Sequence, residues 1–208
     1  VGGYRAAQFI ANVYKEKSLS SLDFRQEIEG QVQKVLQLSQ KLRTSQGATL
    51  PSMDELRAKF QERMTKVGAH IREGRGVAKA IAEAEEQYQQ ICTGQVSLHS
   101  PEDLLRYFQN RQLCLTHLAV LHSIATYLKK GGGSRGSYLV IRTDGEQIHA
   151  SLPDFAYQPE DESLRNYTLE YRFVNDSHLL NWQPVREIPK DDFWFENVWR
   201  AYLNKEIY

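Results

Sequence analysis

Residues 100–133, SPEDLLRYFQNRQLCLTHLAVLHSIATYLKKGGG, predict the longest helix of the chain. They begin with Ser100-Pro101-Glu102-Asp103, which combines a capping side chain, a proline at the first helical position and two acids in the first turn. They end with Lys129, Lys130 and three glycines, and cations followed by glycine are typical of a helix end. Both ends therefore predict a helix from Leu104 to Lys130.

Two helices are predicted in the first 47 residues. In residues 3–16, apolar side chains recur at helical spacing. Ser20 or Ser21 can cap a second helix that ends near Gly47 and carries an apolar face of Leu22, Ile28, Val32, Val35, Leu36 and Leu42. The residues Val1-Gly2-Gly3 supply no capping side chain for the first helix, whose initial amides need partners. We therefore expect the natural polypeptide to start upstream of Val1.

A capping box after Pro51 predicts the third helix. Ser52 and Glu55 have the required spacing, and an apolar stripe follows at Leu56, Phe60, Met64, Val67 and Ile71. Gly74-Arg75-Gly76 interrupts this pattern, and a fourth helix then continues to about Thr93. We interpret this glycine segment as a kink, because it is not expected to follow a strand and open a helix as a phosphate-binding loop does.

The residues after 133 change to strand and turn patterns. Asp144-Gly145 favours a tight hairpin turn between residues 137–142 and 147–150. Residues 167–174 alternate with period two, which predicts a half-buried strand, and residues 182–188 are its expected partner despite Pro184. Asp191 can cap a last short helix. The predicted fold class is mainly α: an antiparallel helical bundle followed by a small α+β unit with antiparallel strands.

Charge divides the chain into unlike halves although the total is zero. Residues 1–130 hold 18 Lys and Arg against 13 Asp and Glu, and residues 131–208 hold 8 against 13. The organisation we predict is a first helix in 1–16, a helical bundle in 17–130 and an α+β segment in 131–208. The neutral total gives no general attraction to nucleic acid or to a membrane surface. No apolar run is long enough for membrane insertion, so we expect a cytoplasmic protein.

Two groups of side chains raise the question of metal or acid–base chemistry. Cys114, His117 and His122 share the long helix, but a rotation of about 100° per residue separates the two histidines by about 140°, so one straight helix cannot direct both at one ion. We predict no metal site, and interpret Cys92 and Cys114 as core thiols. The other group contains His149, His178, Asp154, Glu160, Asp161 and Glu162. Nothing in its spacing specifies an acid–base pair, and we predict no catalytic residue.

Two further segments keep alternative interpretations at this stage. Residues 131–136, GGGSRG, suit a flexible linker, even an engineered one, but Arg135 also belongs to a recognisable string, residues 134–138. Phe193-Trp194-Phe195 with Trp199 is interpreted as a small core or a docking face rather than a platform for stacking bases, because this half of the chain is acidic.

Three strings in a fixed order carry a resemblance to a known family: residues 1–11, VGGYRAAQFIA; residues 60–72, FQERMTKVGAHIR; and residues 134–138, SRGSY. They resemble the carboxyl-terminal part of the flavoproteins that include succinate dehydrogenase, fumarate reductase and L-aspartate oxidase. The first is similar to the helix that directly follows the last flavin-contacting loop, and the second to a stretch of the helical domain. The third is similar to a Ser-Arg-Gly-Ala-His segment, with Ser137 and Tyr138 replacing the usual Ala and His, and Gly133 replacing a preceding Glu.

The resemblance implies a parent oxidoreductase in which FAD passes a hydride to or from a small substrate, a dicarboxylate among the candidates. The dinucleotide fingerprint and the substrate-handling residues of the family precede the point where this chain begins. We therefore expect FAD in the parent but no cofactor, metal or catalytic residue in this chain, which alone should be inactive. Arg135 remains as a contact residue, either a clamp onto the flavin domain, which we favour, or a ligand for a substrate carboxylate.

The expected partner is the upstream flavin-binding domain of the same polypeptide. An apolar face without that domain could also support a homodimer. The alternative function is a self-contained helical module for protein interaction, with no enzymatic activity.

Overall fold

Helices account for most of the described structure. The computed structural model describes residues 2–14, 20–44, 50–153, 155–186 and 193–207. In these ranges the helices are α1 (Gly2–Asn12), α2 (Ser21–Thr44), α3 (Met53–Val67), α4 (Gly74–Cys92), α5 (Glu102–Lys129) and α6 (Trp194–Leu203). The strands are β1 (Ile71–Arg72), β2 (Leu139–Gln147), β3 (Ala156–Tyr157), β4 (Tyr167–Val174) and β5 (Ser177–Pro184), and a 3₁₀ helix covers Glu162–Asn166. The predicted mainly α class is confirmed.

The predicted starts of α2 and α3 are confirmed by their hydrogen bonds. Ser20 Oγ accepts from the N–H of Asp23 at 3.1 Å. At α3, Ser52 Oγ accepts from the N–H of Glu55 at 3.3 Å, and the Glu55 carboxylate accepts from the N–H of Ser52 at 2.8 Å. The predicted end of α2 near Gly47 lies outside the described residues.

The start of α5 uses a different capping group from the predicted one. Pro101, the residue before α5, makes no capping hydrogen bond with its side chain. Instead, Asp103 Oδ2 accepts from the N–H groups of His99 and Ser100 at 2.8 and 3.1 Å. The Asp103 carboxylate therefore folds back and accepts from the two amides that precede the helix. An ionised carboxylate is a stronger acceptor than a serine hydroxyl.

The segment between α3 and α4 corrects two predictions. Ile71 is not on the stripe of α3: the helix ends at Val67, and Ile71 pairs in β1 with Leu139 of β2 in parallel. This parallel pair also departs from the predicted all-antiparallel strands. Gly74-Arg75-Gly76 is not a kink within a helix, because it follows β1 and opens α4.

The predicted hairpin at Asp144-Gly145 does not form. β2 runs through both residues and pairs antiparallel with β3, with a shift in register that places Tyr157 opposite both Ile141 and Glu146. A Cβ at Gly145 would overlap the carbonyl oxygen of Tyr157. Gly145 therefore allows the backbones of β2 and β3 to approach closely at a bulge. Glycine has this role in strands as well as in turns.

A hairpin further along the chain was missed by the sequence analysis. β4 is confirmed at Tyr167–Val174, but its partner is β5 at Ser177–Pro184 rather than residues 182–188. Asn175 and Asp176 form the turn with φ values of 49° and 57°. Positive φ at both central residues is the signature of the turn that suits a two-residue hairpin.

Contacts divide the chain into a unit of residues 34–185 and a unit of residues 1–33 with 186–208. The predicted segments 1–16, 17–130 and 131–208 are each continuous in sequence, whereas the smaller unit joins residues from both ends of the chain. The predicted division stays a prediction. In the larger unit, α3, α4 and α5 pack around one apolar core. Phe173 of β4 packs against this core, with its ring edge-on to Tyr88 at 6.2 Å between centroids.

The smaller unit contains α1, the start of α2 and α6. α1 and α6 bury none of their described side chains. Tyr202 Oη donates to Gln8 Oε1 at 3.2 Å, and the Arg5 guanidinium lies 5.1 Å from the centre of the Tyr202 ring. Phe193, Trp194, Phe195 and Trp199 are exposed, so the interpretation of these aromatics as a small core is wrong. The predicted cap at Asp191 lies outside the described residues.

Ser52→Ala should lower the free energy of unfolding by about 1 kcal/mol, because the hydroxyl that accepts from the N–H of Glu55 is lost, whereas the backbone N–H of residue 52 still donates to the Glu55 carboxylate. Urea denaturation followed by circular dichroism measures the change. Ser39→Ala is the matched control, since Ser39 Oγ donates to Val35 O within α2 and caps no helix end. Equal effects of the two substitutions would contradict the assignment of the cap.

Candidate functional site

Arg135, the site residue selected from the sequence, lies in the turn between α5 and β2. Its N–H donates to Tyr138 O at 3.2 Å, and its own carbonyl oxygen accepts from the N–H of Tyr138 at 3.3 Å. Gly131 and Gly136 have φ values of 93° and 57°, in the left-handed region that favours glycine. Backbone conformation and two hydrogen bonds therefore hold Arg135 in place.

The Arg135 guanidinium has a carboxylate partner within the chain. Its Nε lies 3.2 Å from Glu160 Oε1. Arg165 donates to both oxygens of the same carboxylate, at 2.9 and 2.6 Å. The hydrogen bond from Arg165 and the two positive charges lower the pKa of Glu160. Glu160 is largely covered whereas Arg135 is half-exposed, so Arg135 retains free surface for a second contact.

The glycines before Arg135 are structural, which disfavours a plain flexible linker. A Cβ at Gly133 would overlap the carbonyl of Pro159, and one at Gly132 would overlap the ring of Tyr127. Tyr127 Oη donates to Gly133 O at 3.0 Å, and the N–H of Ser134 donates to Gln158 O at 2.8 Å. The chain therefore passes against the 158–159 backbone at a distance that only glycine permits.

Tyr138, where the resembled family has histidine, packs against a cation. The Arg72 guanidinium lies 3.7 Å from the centre of the Tyr138 ring, a cation–π contact. Arg72 also donates to Gly68 O at 3.0 Å, and burial lowers the pKa of Arg72. Tyr138 thus covers the partly buried charge of Arg72.

A groove of about 470 Å³ lies beside this turn, with Gly131, Gly132, Arg75 and Arg142 in its lining. The amino end of α4 also borders it. However, the Glu73 carboxylate accepts from the N–H groups of Arg75 and Gly76 at 2.9 and 2.8 Å. Because an acid of the chain already occupies these amides, the strand–glycine–helix segment is not a phosphate cradle.

Cys114 and His117 are both buried in the core. Cys114 Sγ lies 3.8 Å from Ala84 O, and burial raises the pKa of this thiol to about 12. His117 Nε2 lies 3.3 Å from Arg63 Nη1, and since arginine only donates, Nε2 must accept. The burial of His117 and the charge of Arg63 lower the pKa of the imidazole to about 4. Both residues are therefore inert core groups at neutral pH.

His122 has different neighbours, which the sequence analysis missed. Its Nε2 lies 3.3 Å from Glu85 Oε1 of α4, and its ring stacks on that of His178 of β5 at 4.2 Å. One potential ligand atom from each of the three residues lies within 4.8 Å of the other two. One straight helix cannot direct His117 and His122 at one ion, whereas Glu85, His122 and His178 come from three separate elements. No spacing in the sequence signals their approach.

The other acid–base candidates are not brought together. His149 Nδ1 contacts Ser151 Oγ at 2.7 Å, while Asp161 accepts from Ser163 and Glu160 from Arg165. Asp154 lies outside the described residues. Among the candidates that are described, neither His149 nor His178 forms an ion pair with one of the predicted acids. These contacts give no acid–base pair of the kind considered from the sequence.

Comparison with known proteins adds no relative: no family model and no curated protein matches this chain. Within the described ranges, no helix is both long and apolar enough to cross a membrane. The interpretation of function therefore depends on the residues themselves.

His117→Gln should weaken the pH dependence of stability on the acid side. Above pH 6.5 the ring is neutral in both states; as the pH falls from 6.5 towards 4, the unfolded chain binds a proton that the folded chain excludes. Folding stability therefore decreases over this window through His117, and the loss ends near the folded pKa. Melting temperatures between about pH 7 and about pH 4 measure the slope. An unchanged slope in His117→Gln, equal to that of the exposed control His149→Gln, would contradict this role.

Proposed function

We propose that this chain is the carboxyl-terminal helical part of an FAD-dependent oxidoreductase of the succinate dehydrogenase and fumarate reductase type. The observation that carries the proposal is the exposure of the apolar side chains of α1. This helix matches the family string that follows the last flavin-contacting loop, and it buries no side chain. Tyr4 and Ile10 share one face of α1 with Ala7 and Ala11 and are exposed by 63 and 61%, and Phe9 on another side is exposed by 44%. An apolar helical face of this kind favours a docked neighbour, and the resemblance identifies that neighbour as the flavin domain.

We infer no site for the cofactor among the residues that the structure describes. The one described segment in which a strand leads through glycines into a helix has its amides capped by Glu73. Residues 131–136 have the spacing G-x-G-x-x-G, but they follow α5 and lead into β2, the reverse of the strand-to-helix order of a dinucleotide fingerprint. Flavin binding and redox chemistry therefore belong to the rest of the polypeptide. This chain acts as scaffold, with α3, α4 and α5 as its antiparallel bundle, in a cytoplasmic enzyme.

Arg135 serves as a clamp in this proposal. Its turn is fixed by Gly131 and Gly136, and its guanidinium is oriented by Glu160 while half of its surface stays exposed. A guanidinium held in one orientation can bind a second carboxylate with little loss of side-chain entropy. Since Glu160 and Glu162 together balance the charges of Arg135 and Arg165, a backbone or side-chain acceptor at the domain boundary suits Arg135 better than a mobile substrate anion.

The test is to isolate the native polypeptide from its own cells with an antibody raised against this chain. Mass spectrometry and release of bound flavin are then measured. We expect a polypeptide well above the 24.0 kDa of this chain, with FAD bound, whereas the 208-residue chain purified alone should be colourless. A native polypeptide of 24 kDa without flavin would contradict the proposal, and would favour the alternative of a helical interaction module, monomeric or paired through α1 and α6.

Arg135→Ala in the flavin-bearing polypeptide should lower flavin retention and melting temperature together, because a clamp acts on the association of two domains. KM for substrate in the remaining holoenzyme should stay unchanged. Steady-state kinetics and thermal unfolding measure the two effects. A selective rise in KM, with flavin retention intact, would instead make Arg135 a ligand for substrate. Arg142→Ala is the control, since Arg142 pairs with Asp144 on β2 itself.

A further inference from the structure

Three side chains from three elements converge at the edge of the larger unit. Glu85 lies on α4, His122 on α5 and His178 on β5, and one ligand atom of each lies within 4.8 Å of the others. The distance from Glu85 Oε1 to His122 Nε2 is 3.3 Å. Two ligands about 2.0–2.2 Å from a tetrahedral ion lie about 3.4 Å apart. This pair already has the separation that a bound zinc ion requires.

The contact between Glu85 and His122 is not satisfied as a hydrogen bond. His122 Nε2 is buried and has no hydrogen-bond partner, although the carboxylate oxygen is close. A buried ring nitrogen without a partner is costly. A metal ion between the two groups would satisfy both, because a neutral imidazole nitrogen and a carboxylate oxygen are each metal ligands.

A hydrogen bond with Tyr171 can orient the His178 ring as a metal ligand. Tyr171 Oη lies 2.6 Å from His178 Nδ1. When Nδ1 donates this hydrogen bond, the lone pair remains on Nε2, the nitrogen available to a ligand. Metal-binding histidines are commonly oriented in this way by a hydrogen bond at the other ring nitrogen.

The surroundings favour a cation. A groove of about 410 Å³ borders the site and is lined by Glu85, His178, Glu86 and Asp176 together with apolar residues. Among the described residues of this lining, none is lysine or arginine. The groove therefore offers negative charge and a path from solvent. Water can enter by the same path and complete the coordination of an ion.

The geometry points to a binding site for a divalent transition-metal ion of the zinc class, held by Glu85, His122 and His178. Two imidazoles and one carboxylate suit zinc and leave a coordination position for water. The rings of His122 and His178 lie at 26° to each other, so binding would require the His178 ring to turn until both nitrogen lone pairs converge on one ion. The ligand atoms would also have to approach, since the 4.8 Å limit is wider than a coordination shell. The ion would join the β4–β5 hairpin to α4 and α5. This inference does not depend on the proposed flavoprotein function.

The test is a titration of the metal-free 208-residue chain with ZnCl₂ against a chromophoric chelator. We expect one tight equivalent, a rise in melting temperature, and with Co²⁺ the visible absorption of a low-coordinate site. Glu85→Gln, His122→Gln and His178→Gln should each weaken zinc binding by at least about tenfold, and Tyr171→Phe by about 10- to 100-fold. His149→Gln is the control that keeps the wild-type affinity.

Circular dichroism in the presence of chelator checks the fold of each variant. Glu85→Gln keeps the test valid if a histidine variant unfolds, because the Glu85 side chain is half-exposed. Loss of the tight equivalent in folded Glu85→Gln supports the site. Wild-type affinity in that variant, an equal loss in His149→Gln, or the absence of a tight equivalent in the wild type would overturn it.

Discussion

The burial of one face of α5 is the interaction on which the larger unit depends. This face is not uniformly apolar: Leu118 and Leu121 are fully buried beside Tyr107, Asn110 and Cys114. Tyr107 Oη donates to Ile91 O at 2.6 Å, and Asn110 Nδ2 donates to Met53 O at 2.7 Å. Apolar contacts alone would let a helix slide by a turn at modest cost, whereas a misplaced buried amide or hydroxyl loses its partner. These polar groups therefore set the position of α5 along α3 and α4.

Local sequence signals predicted the local features and failed where distant segments meet. The capping box at Ser52 and Glu55, the period of β4 and the glycine end of α5 each depend on residues a few positions apart, and all three are confirmed. Ile71 and Gly145 were misassigned because their conformations are set by Leu139 and Tyr157 respectively. A helical stripe and a turn dipeptide contain no information about such partners. For the same reason Glu85 and His178 could not be joined to His122 from the sequence.

Gly133 and Tyr138, two positions at which the turn differs from the resembled pattern, each make a specific packing contact. Gly133 stands where the family has glutamate, and the backbone of Pro159 occupies the space that any side chain would need. Tyr138 stands where the family has histidine, and its ring covers the Arg72 guanidinium. Arg135, which matches the family, is the residue of this turn that projects a charge outward. The turn thus depends on close backbone packing, and the half-exposed Arg135 is a charged side chain of this turn that has surface for a further contact.

Two of the contacts between the β4–β5 hairpin and the helices differ in character. Phe173 packs edge-on against Tyr88, an apolar contact that fixes distance but tolerates rotation. His178 stacks on His122 beside Glu85, and this contact has direction because each ring presents a nitrogen at a defined angle. The stack leaves His122 Nε2 without a hydrogen-bond partner, so this directional contact is incomplete. In the proposed site an ion would complete it, and the orientation of the hairpin would then depend on coordination geometry as well as on the fit of two aromatic rings.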